Sequence, residues 1–163
     1  MATTAGTADI DQKYLTFSLG EEEYGIPVAQ VTGIVKVEEL IEVPHSVAWF
    51  PGLMDVRGQI MPVVDLKLRL GLQRAAGEER GQRAIIVEIE GHRITLMVDA
   101  VYHVHRFSQE SIDAGPPSIK DGSGQFMLGV GKRENSFVVL INVTRLFEGE
   151  ELAHLSSAAS ELK

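Results

Sequence analysis

Short stretches in which apolar and polar residues alternate dominate this chain. In residues 14–19, Leu15, Phe17 and Leu19 share one face and the intervening residues take the other, as in a half-buried β-strand. Similar alternation, or a short apolar run, recurs in residues 24–28, 40–43, 53–56, 59–65, 83–90, 94–107, 126–130 and 136–143. Turn residues separate these stretches, so we predict nine or ten short strands arranged as barrels or a sandwich, an all-β fold.

Two segments have a helical spacing instead. Residues 29–35 place Val31, Ile34 and Val35 along one stripe, which predicts a short helix. Residues 150–163 are predicted to form a C-terminal helix whose apolar stripe is Leu152, Leu155 and Ala159.

A tight turn in the middle of the chain is the most informative local pattern. Arg57 and Gly58 stand between two apolar, branched segments, which predicts a turn joining two strands. Pro62 in the second segment cannot donate a ladder hydrogen bond, so we expect an edge strand, a strand's first residue or a bulge there. Asp65 is predicted to be the N-cap of a short helix over residues 66–70.

Composition narrows the classes of function. The 163 residues include 44% hydrophobic and 23% charged ones, as in an ordinary globular domain. The net charge of −8 opposes nonspecific binding to nucleic acid or anionic lipid. No cysteine is present, so a disulfide framework and a thiolate metal site are excluded. No signal segment or 18-residue apolar run is visible, and a cytoplasmic location without membrane insertion is the expectation.

Candidate chemistry is sparse. His103 and His105 lie two residues apart, as in some metal sites, but no further ligand cluster accompanies them, so an exposed strand face is favoured. Residues 129–132, Gly-Val-Gly-Lys, lack the spacing and the following helix of a phosphate loop. Asp99 has no base or nucleophile beside it in sequence and is interpreted as structural. We therefore expect no catalytic residues, no metal and no cofactor.

Several landmarks together resemble one family. Residues 52–66 read Gly-Leu-Met-Asp-Val-Arg-Gly-Gln-Ile-Met-Pro-Val-Val-Asp-Leu, and residues 21–26 read Glu-Glu-Glu-Tyr-Gly-Ile. Residues 97–101 read Met-Val-Asp-Ala-Val, and residues 138–147 read Val-Val-Leu-Ile-Asn-Val-Thr-Arg-Leu-Phe. In order and spacing these segments resemble CheW, the coupling protein family of bacterial chemotaxis arrays, over about residues 14–161.

The resemblance implies a fold and a role. It implies two intertwined small SH3-like β-barrels with short helices and a C-terminal helix, and a non-catalytic scaffold. The implied organisation is a disordered leader at 1–13, a CheW-like domain of two barrel subdomains at 14–149, and the helix at 150–163. The implied partners are the cytoplasmic tip of chemoreceptors, the regulatory domain of the histidine kinase CheA, and other CheW copies. The implied place is the cytoplasm, at membrane-associated receptor arrays.

The resemblance also assigns residues to two surfaces. Val28, Val31, Ile34, Arg57 and Gly58 would form the receptor-binding groove. An apolar groove can seat the nonpolar stripe of a helical hairpin, and an arginine at its rim can bind a carboxylate. A second set, in the apolar strand that would serve barrel packing and kinase binding, comprises Val98, Val101 and Val104.

Three positions depart from the family's usual pattern. Asp55 replaces an asparagine of the turn, and it would either pair with Arg57 or alter the hydrogen bonds of the turn. Gly33 stands where many relatives have an acidic residue, and Thr95 replaces a common glycine. Alternatives that remain open are an adaptor of a pilus-motility or other signalling array, a small-ligand-binding barrel, an enzyme or nucleotide-binding domain, and a nucleic-acid-binding barrel.

Overall fold

Eleven β-strands and two α-helices make up the part of the chain that the computed structural model describes, residues 11–44, 47–72, 82–113 and 126–161. The strands are β1 Asp11–Leu19, β2 Glu22–Pro27, β3 Val31–Lys36, β4 Gly52–Val56, β5 Gln59–Asp65, β6 Arg83–Ile89, β7 His92–Val98, β8 Ala100–Ser108, β9 Ile112–Asp113, β10 Met127–Arg133 and β11 Ser136–Ile141. The helices are α1 Leu66–Arg69 and α2 Gly149–Glu161.

The strands form two curled sheets that share the chain in an interleaved order. One sheet, here the first barrel, has the strand order β8-β1-β2-β11-β10-β9. The other, the second barrel, has the order β3-β6-β7-β5-β4. The chain starts in the first barrel, passes through all five strands of the second, and returns to complete the first. The predicted all-β architecture of two intertwined barrels is confirmed.

Three apolar clusters hold the barrels. The largest, here the interbarrel core, takes buried side chains from both barrels and includes Phe17, Phe50, Leu66, Ile85 and Leu155. Smaller clusters fill each barrel. The second barrel's own cluster is Met54, Val56, Met61, Val63, Ile86 and Met97, and that of the first is Tyr14, Phe107, Val138 and Leu140. Helix α2 adds its predicted stripe to the interbarrel core and packs against β5 of the second barrel.

The short helix predicted over 29–35 is wrong. Only residues Val28–Gln30 make a turn of 3-10 helix, and Val31–Lys36 is strand β3, paired antiparallel with β6. The segment is rich in β-branched residues, which suit a strand better than a helix. A register shift between Val31 and Gly33 leaves Thr32 as an extra residue. Burial still alternates along β3, but the apolar Ile34 lies on its exposed face, and this hides the two-residue period in the sequence.

The single strand predicted over 94–107 is two strands in different barrels. Strand β7 ends at Val98 in the second barrel, and β8 begins at Ala100 in the first. Asp99 makes the crossing: its N–H donates to the Ser18 carbonyl at 3.0 Å, and its Oδ2 accepts from the Gly20 N–H at 2.5 Å. Asp99 is thus a structural carboxylate, as predicted. Strand β7 lies in the middle of its sheet, between β6 and β5.

Pro62 lies in an internal strand, so the expected edge, first residue or bulge is wrong. Strand β5 runs between β4 and β7, and Pro62 opposes Leu53. Hydrogen-bonded and non-hydrogen-bonded pairs alternate along an antiparallel ladder. Counted from the hydrogen-bonded pair that closes the hairpin, Pro62 falls in a non-hydrogen-bonded pair, so its nitrogen points away from β4. Pairing with β7 begins only at Val63. The missing N–H therefore falls where no ladder bond is needed.

Other predicted boundaries shift by a few residues. The leader predicted over 1–13 overlaps β1, since Asp11 already pairs with Ser108; residues 1–10 lie outside the described ranges. The sequence also predicts a linker over 73–82, rich in glycine, alanine and charge, and a loop over 111–124 with two prolines and three glycines. Both segments lie mostly outside the described ranges. Residues 40–43 make one isolated bridge, Ile41 to Leu53, instead of a strand.

Arg69 of α1 binds together segments that are distant in sequence. Its guanidinium lies 4.8 Å from the Trp49 ring centroid, 5.2 Å from that of Phe126 and 5.5 Å from that of Phe147. Its Nε donates to the Leu146 carbonyl at 2.6 Å, and its terminal nitrogen pairs with Glu151 of α2 at 3.0 Å. The side chain is only 16% exposed, so these partners replace its water.

Replacing Arg69 by methionine should destabilise the fold by about 2–3 kcal/mol, because the Leu146 carbonyl and Glu151 lose a charged donor in a partly buried place. The measurement is urea unfolding followed by far-UV circular dichroism. The exposed Arg145 offers a matched control, and Arg145→Met should change stability by no more than about 0.5 kcal/mol. Equal effects of the two substitutions would contradict the role of Arg69.

Candidate functional site

The Arg57 turn is a two-residue hairpin with unusual backbone angles. Arg57 has φ 53° and Gly58 has φ 87°, between the ends of β4 and β5. Both residues are in the left-handed region, as a type I′ turn requires. Glycine takes this conformation freely, whereas an arginine pays for it. The backbone thus holds Arg57 at the tip of a rigid hairpin, and open space surrounds the Gly58 Cα.

Asp55 stabilises this turn. Its Oδ1 accepts a hydrogen bond from the Gly58 N–H at 2.7 Å. Of the two roles that the sequence leaves open for Asp55, the structure has the hydrogen bond within the turn. Among the described residues Arg57 has no ion-pair partner. Its guanidinium is therefore available to a carboxylate from outside the chain.

An open cleft of about 240 Å³ runs from the Arg57 turn to strand β3. Buried apolar side chains of the second barrel, Val56, Met61 and Ile86, form its floor. Ile34 lies at the rim and is 47% exposed although it is a large apolar residue. The complete lining, here the Arg57 cleft, is Thr32, Gly33, Ile34, Val35, Val56, Arg57, Gln59, Met61, Ile86 and Arg93.

The predicted receptor-binding residues divide into two groups. Ile34, Arg57 and the adjoining Gly58 lie together at the Arg57 cleft. Val28 and Val31 are partly buried and pack against the interbarrel core instead. Their side chains therefore stabilise the position of β3, and the exposed apolar contact at this cleft comes from Ile34.

Three polar residues of the cleft, Thr32, Gln59 and Arg93, are missing from the sequence-based set. Arg93 lies on β7 and donates to Gln59 of β5 at 3.3 Å. Its ion pair with Glu88 spans 4.0 Å, and both side chains are about half exposed, 49% and 51%, so this pair contributes little stability. The pairing of β6 with β7 brings Arg93 to the cleft, and no local sequence pattern carries that information.

Gly33, one of the three predicted departures from the family pattern, lines the Arg57 cleft. A Cβ added there would lie 3.6 Å from Ile86 Cδ1, an ordinary contact. The glycine is thus not required by close packing. Thr95, the other departure, is fully buried, and its hydroxyl lies 3.7 Å from the Met61 sulfur.

The second predicted set, the residues expected to serve barrel packing and kinase binding, lies at the junction of the barrels. Val98 is 1% exposed and belongs to the interbarrel core, and Val101 is partly buried against the same core. Val98 therefore serves the predicted barrel packing, and it offers no surface to a partner. Val104 is 50% exposed and lies on β8 near Tyr102, which is 53% exposed. The exposed apolar surface of this strand is thus formed by Tyr102 and Val104.

Asp65 has the predicted capping role. It is the N-cap of α1, and its Oδ1 accepts from the Leu68 N–H at 3.4 Å. The helix ends at Arg69, and Gly71 follows with φ 85°. This cap fixes the strand-to-helix corner from which Arg69 reaches the aromatic side chains.

Within the described ranges, no group of three or more His, Asp or Glu side chains is placed to hold a metal ion. None of the helices described there has the length and apolar character needed to cross a membrane. The features that remain are two interleaved barrels, a rigid arginine turn and a shallow apolar cleft. They define a class of β-proteins with two interleaved barrels and an open surface cleft.

Comparison with known proteins narrows this class. A model of the CheW-like domain matches residues 13–151. The chemotaxis protein CheW of Treponema pallidum is 30% identical over 146 residues, which cover 88% of this chain and 86% of that protein. The chemotaxis protein CheW of Klebsiella aerogenes is 26% identical over 151 residues, 92% of this chain and 90% of that protein.

A solved structure agrees. The crystal structure of the scaffolding protein TtCheW from Thermoanaerobacter tengcongensis superimposes with a TM-score of 0.74 at 35% identity, covering 84% of this chain and 92% of that one. The chain therefore belongs to the CheW-like family, and the predicted pair of SH3-like barrels is confirmed.

Asp55→Ala should lower stability by about 1 kcal/mol and loosen the turn, because the Gly58 N–H loses its acceptor. Asp55→Asn should stay within about 0.5 kcal/mol of the parent, because the amide oxygen can accept the same bond. Urea unfolding gives the stability, and hydrogen exchange at the Gly58 amide reports on the turn. Equal losses in both variants would mean that the carboxylate acts through its charge and not through this hydrogen bond.

Proposed function

We propose that this protein is a non-catalytic adaptor that couples methyl-accepting chemotaxis receptors to the histidine kinase CheA and so lets receptors control the kinase. The observation that carries the proposal is the Arg57 cleft, an open apolar cleft beside an unpaired arginine, in a chain of the CheW-like family. The proposal puts the protein in the cytoplasm, at receptor arrays, where its partners hold it.

The chemistry of the Arg57 cleft fits a receptor tip. A receptor tip is a helical hairpin, and a helix of that kind can lay an apolar side chain on the floor formed by Val56, Met61 and Ile86. Ile34 at the rim adds exposed apolar area. Arg57, held on the hairpin tip, can donate two parallel hydrogen bonds to a carboxylate of the same helix. This bidentate contact would fix the register of the helix.

The kinase requires a surface that a bound receptor leaves free. We assign the regulatory domain of CheA to the exposed apolar part of β8, where Tyr102 and Val104 are each about half exposed. Strand β8 is also an edge of the first barrel, and an edge strand can pair with a strand of a partner. Further copies of the family can use the same edge.

Substitutions at the Arg57 cleft should weaken receptor binding while the protein stays folded. We expect Arg57→Asn and Ile34→Asp each to reduce affinity for a receptor cytoplasmic fragment about tenfold or more, since loss of one rim contact of about 1.4 kcal/mol has that effect. Asparagine tolerates the left-handed backbone of the turn, so the first variant removes the guanidinium with little strain. Pull-down and titration calorimetry provide the measurement.

The chain contains a matched control for the turn. Glu90 and Gly91 form a second hairpin of the same kind, with φ 50° and 84°, between β6 and β7. Glu90→Asn should leave receptor binding unchanged. Val104→Asp should weaken CheA binding and spare receptor binding. If the two cleft variants bind receptor as well as the parent does, the assignment of this cleft is wrong.

A further inference from the structure

The interiors of the two barrels differ in chemistry. The second barrel is filled by apolar side chains together with the buried Thr95. The first barrel is apolar at one end, around Phe107 and Leu140, and polar at the other. At the polar end Glu23 of β2 pairs with Arg133 of β10, and each side chain is only about 20% exposed. Burying charges costs free energy unless they are paired, and Glu23 and Arg133 each have the other as a partner.

Two histidines complete the polar end, here called the barrel mouth. His103 and His105 are two residues apart on β8 and so share a face, with their ring centroids 6.4 Å apart. The His105 ring also lies 4.4 Å from that of the buried Phe107. Thr16, fully buried, donates its hydroxyl to the His103 carbonyl at 2.9 Å. The imidazoles are thus carried by well-fixed backbone.

An open cavity of about 620 Å³ lies at the barrel mouth. Its lining consists of His103, His105, Lys132, Arg133, Glu134, Asn135 and Ser136. Arg133 is neutralised by Glu23 and also donates to Ser136 at 3.4 Å. The pair of Lys132 with Asp113 of β9 spans 3.5 Å with both side chains more than half exposed, so it is weak. Two imidazoles and one ammonium group therefore border this space without a strong anionic partner among the described residues.

The local electrostatics agree with this geometry. Burial lowers the pKa of His105, and the positive charges of Arg133 and His103 lower it further, while Glu23 acts in the opposite direction. The other charged groups that border the mouth are Lys132 and Glu134. An anion in the cavity would offset the repulsion among the cations and favour the protonated form of His105.

We propose that the barrel mouth is a binding site for a small doubly charged oxyanion of the sulfate or phosphate class, held by His103, His105 and Lys132. Several N–H donors around an open space match an anion with several acceptor oxygens. Barrel mouths are also frequent places for small-ligand sites. The site is separate from the Arg57 cleft, which belongs to the second barrel, and it does not depend on the adaptor role.

The protonation of His105 decides whether the affinity for the anion rises or falls with pH. A histidine whose pKa is lowered in the folded protein is mostly neutral above its usual value of 6.5. Anion binding requires its protonated form, so the affinity rises as the pH falls through and below 6.5. Each proton taken up on binding changes the affinity about tenfold per pH unit in that range.

The test uses sulfate as the probe, because sulfate stays doubly charged throughout this pH range while phosphate does not. Histidine ring resonances of the full chain are followed by NMR at pH 5.5 and pH 8 with sodium chloride balancing the ionic strength. We expect saturable shifts of His103 and His105 at pH 5.5 and at least tenfold weaker binding at pH 8. His92 and His154, which are outside the mouth, should not shift.

Three variants separate this site from nonspecific charge effects. His103→Gln should weaken sulfate binding about tenfold, and since His103 is exposed the substitution should leave the fold intact. Glu134→Gln should strengthen binding, because it removes the one carboxylate that lines the cavity. His154→Gln is the matched control and should change nothing. At pH 5.5 phosphate carries mostly one charge, so phosphate and acetate should both bind more weakly than sulfate, acetate at least tenfold.

Several results would overturn the proposal. They are shifts that do not saturate, equal shifts at all histidines, affinity independent of pH, or acetate binding as tightly as sulfate. A site for a single carboxylate, or ionic screening alone, would then explain the data. Unchanged binding in His103→Gln, with the parent's circular dichroism spectrum, would overturn it as well.

Discussion

One guanidinium group holds the architecture together. Arg69 starts from the four-residue helix α1 and reaches aromatic side chains before β10 and after β11, as well as Glu151 of α2. These contacts connect the second barrel to the last strands of the first barrel and to the C-terminal helix α2. Apolar burial in the interbarrel core supplies most of the stability, but it has no direction. The hydrogen bonds of Arg69 do have direction, and they fix how the helix, the corner at Asp65 and the barrels meet.

Much of this fold can be predicted from local patterns, and the failures have physical reasons. The Arg57 turn, the Asp65 cap and most strands follow from residues close together in sequence. The sequence predicts a helix in place of β3 because the apolar Ile34 lies on the exposed face of the strand and masks the simple alternation. The break at Asp99 is invisible to a pattern of apolar residues, since both flanking strands are apolar and only the Ser18 and Gly20 contacts reveal the change of barrel. Arg69 looks like a surface residue of a short helix, because all of its partners are distant in sequence.

The same contrast holds for the sites. Ile34 and Arg57 could be placed together through the family resemblance, and the structure brings both to one cleft. Arg93 reaches that cleft through the pairing of β6 with β7, and Lys132 and Arg133 reach the barrel mouth through closure of the first barrel. Register and closure depend on many weak preferences at once, so a single sequence does not fix which side chains meet. A turn that is encoded by adjacent residues is therefore easier to find in the sequence than the residues that surround it in the fold.

The interleaved order of the strands has a consequence for how the chain is made. Strand β1 pairs with β8, so that Tyr14 meets His105, and β2 pairs with β11. All five strands of the second barrel lie between these partners in sequence. All strands of the second barrel are therefore present on the emerging chain before the first barrel has its closing strands. Strands β1 and β2 can pair with each other, but β1 must wait for β8 and β2 for β11. Such distant pairings are slow to form. During synthesis, the first segment to appear is among the last to be closed into a barrel.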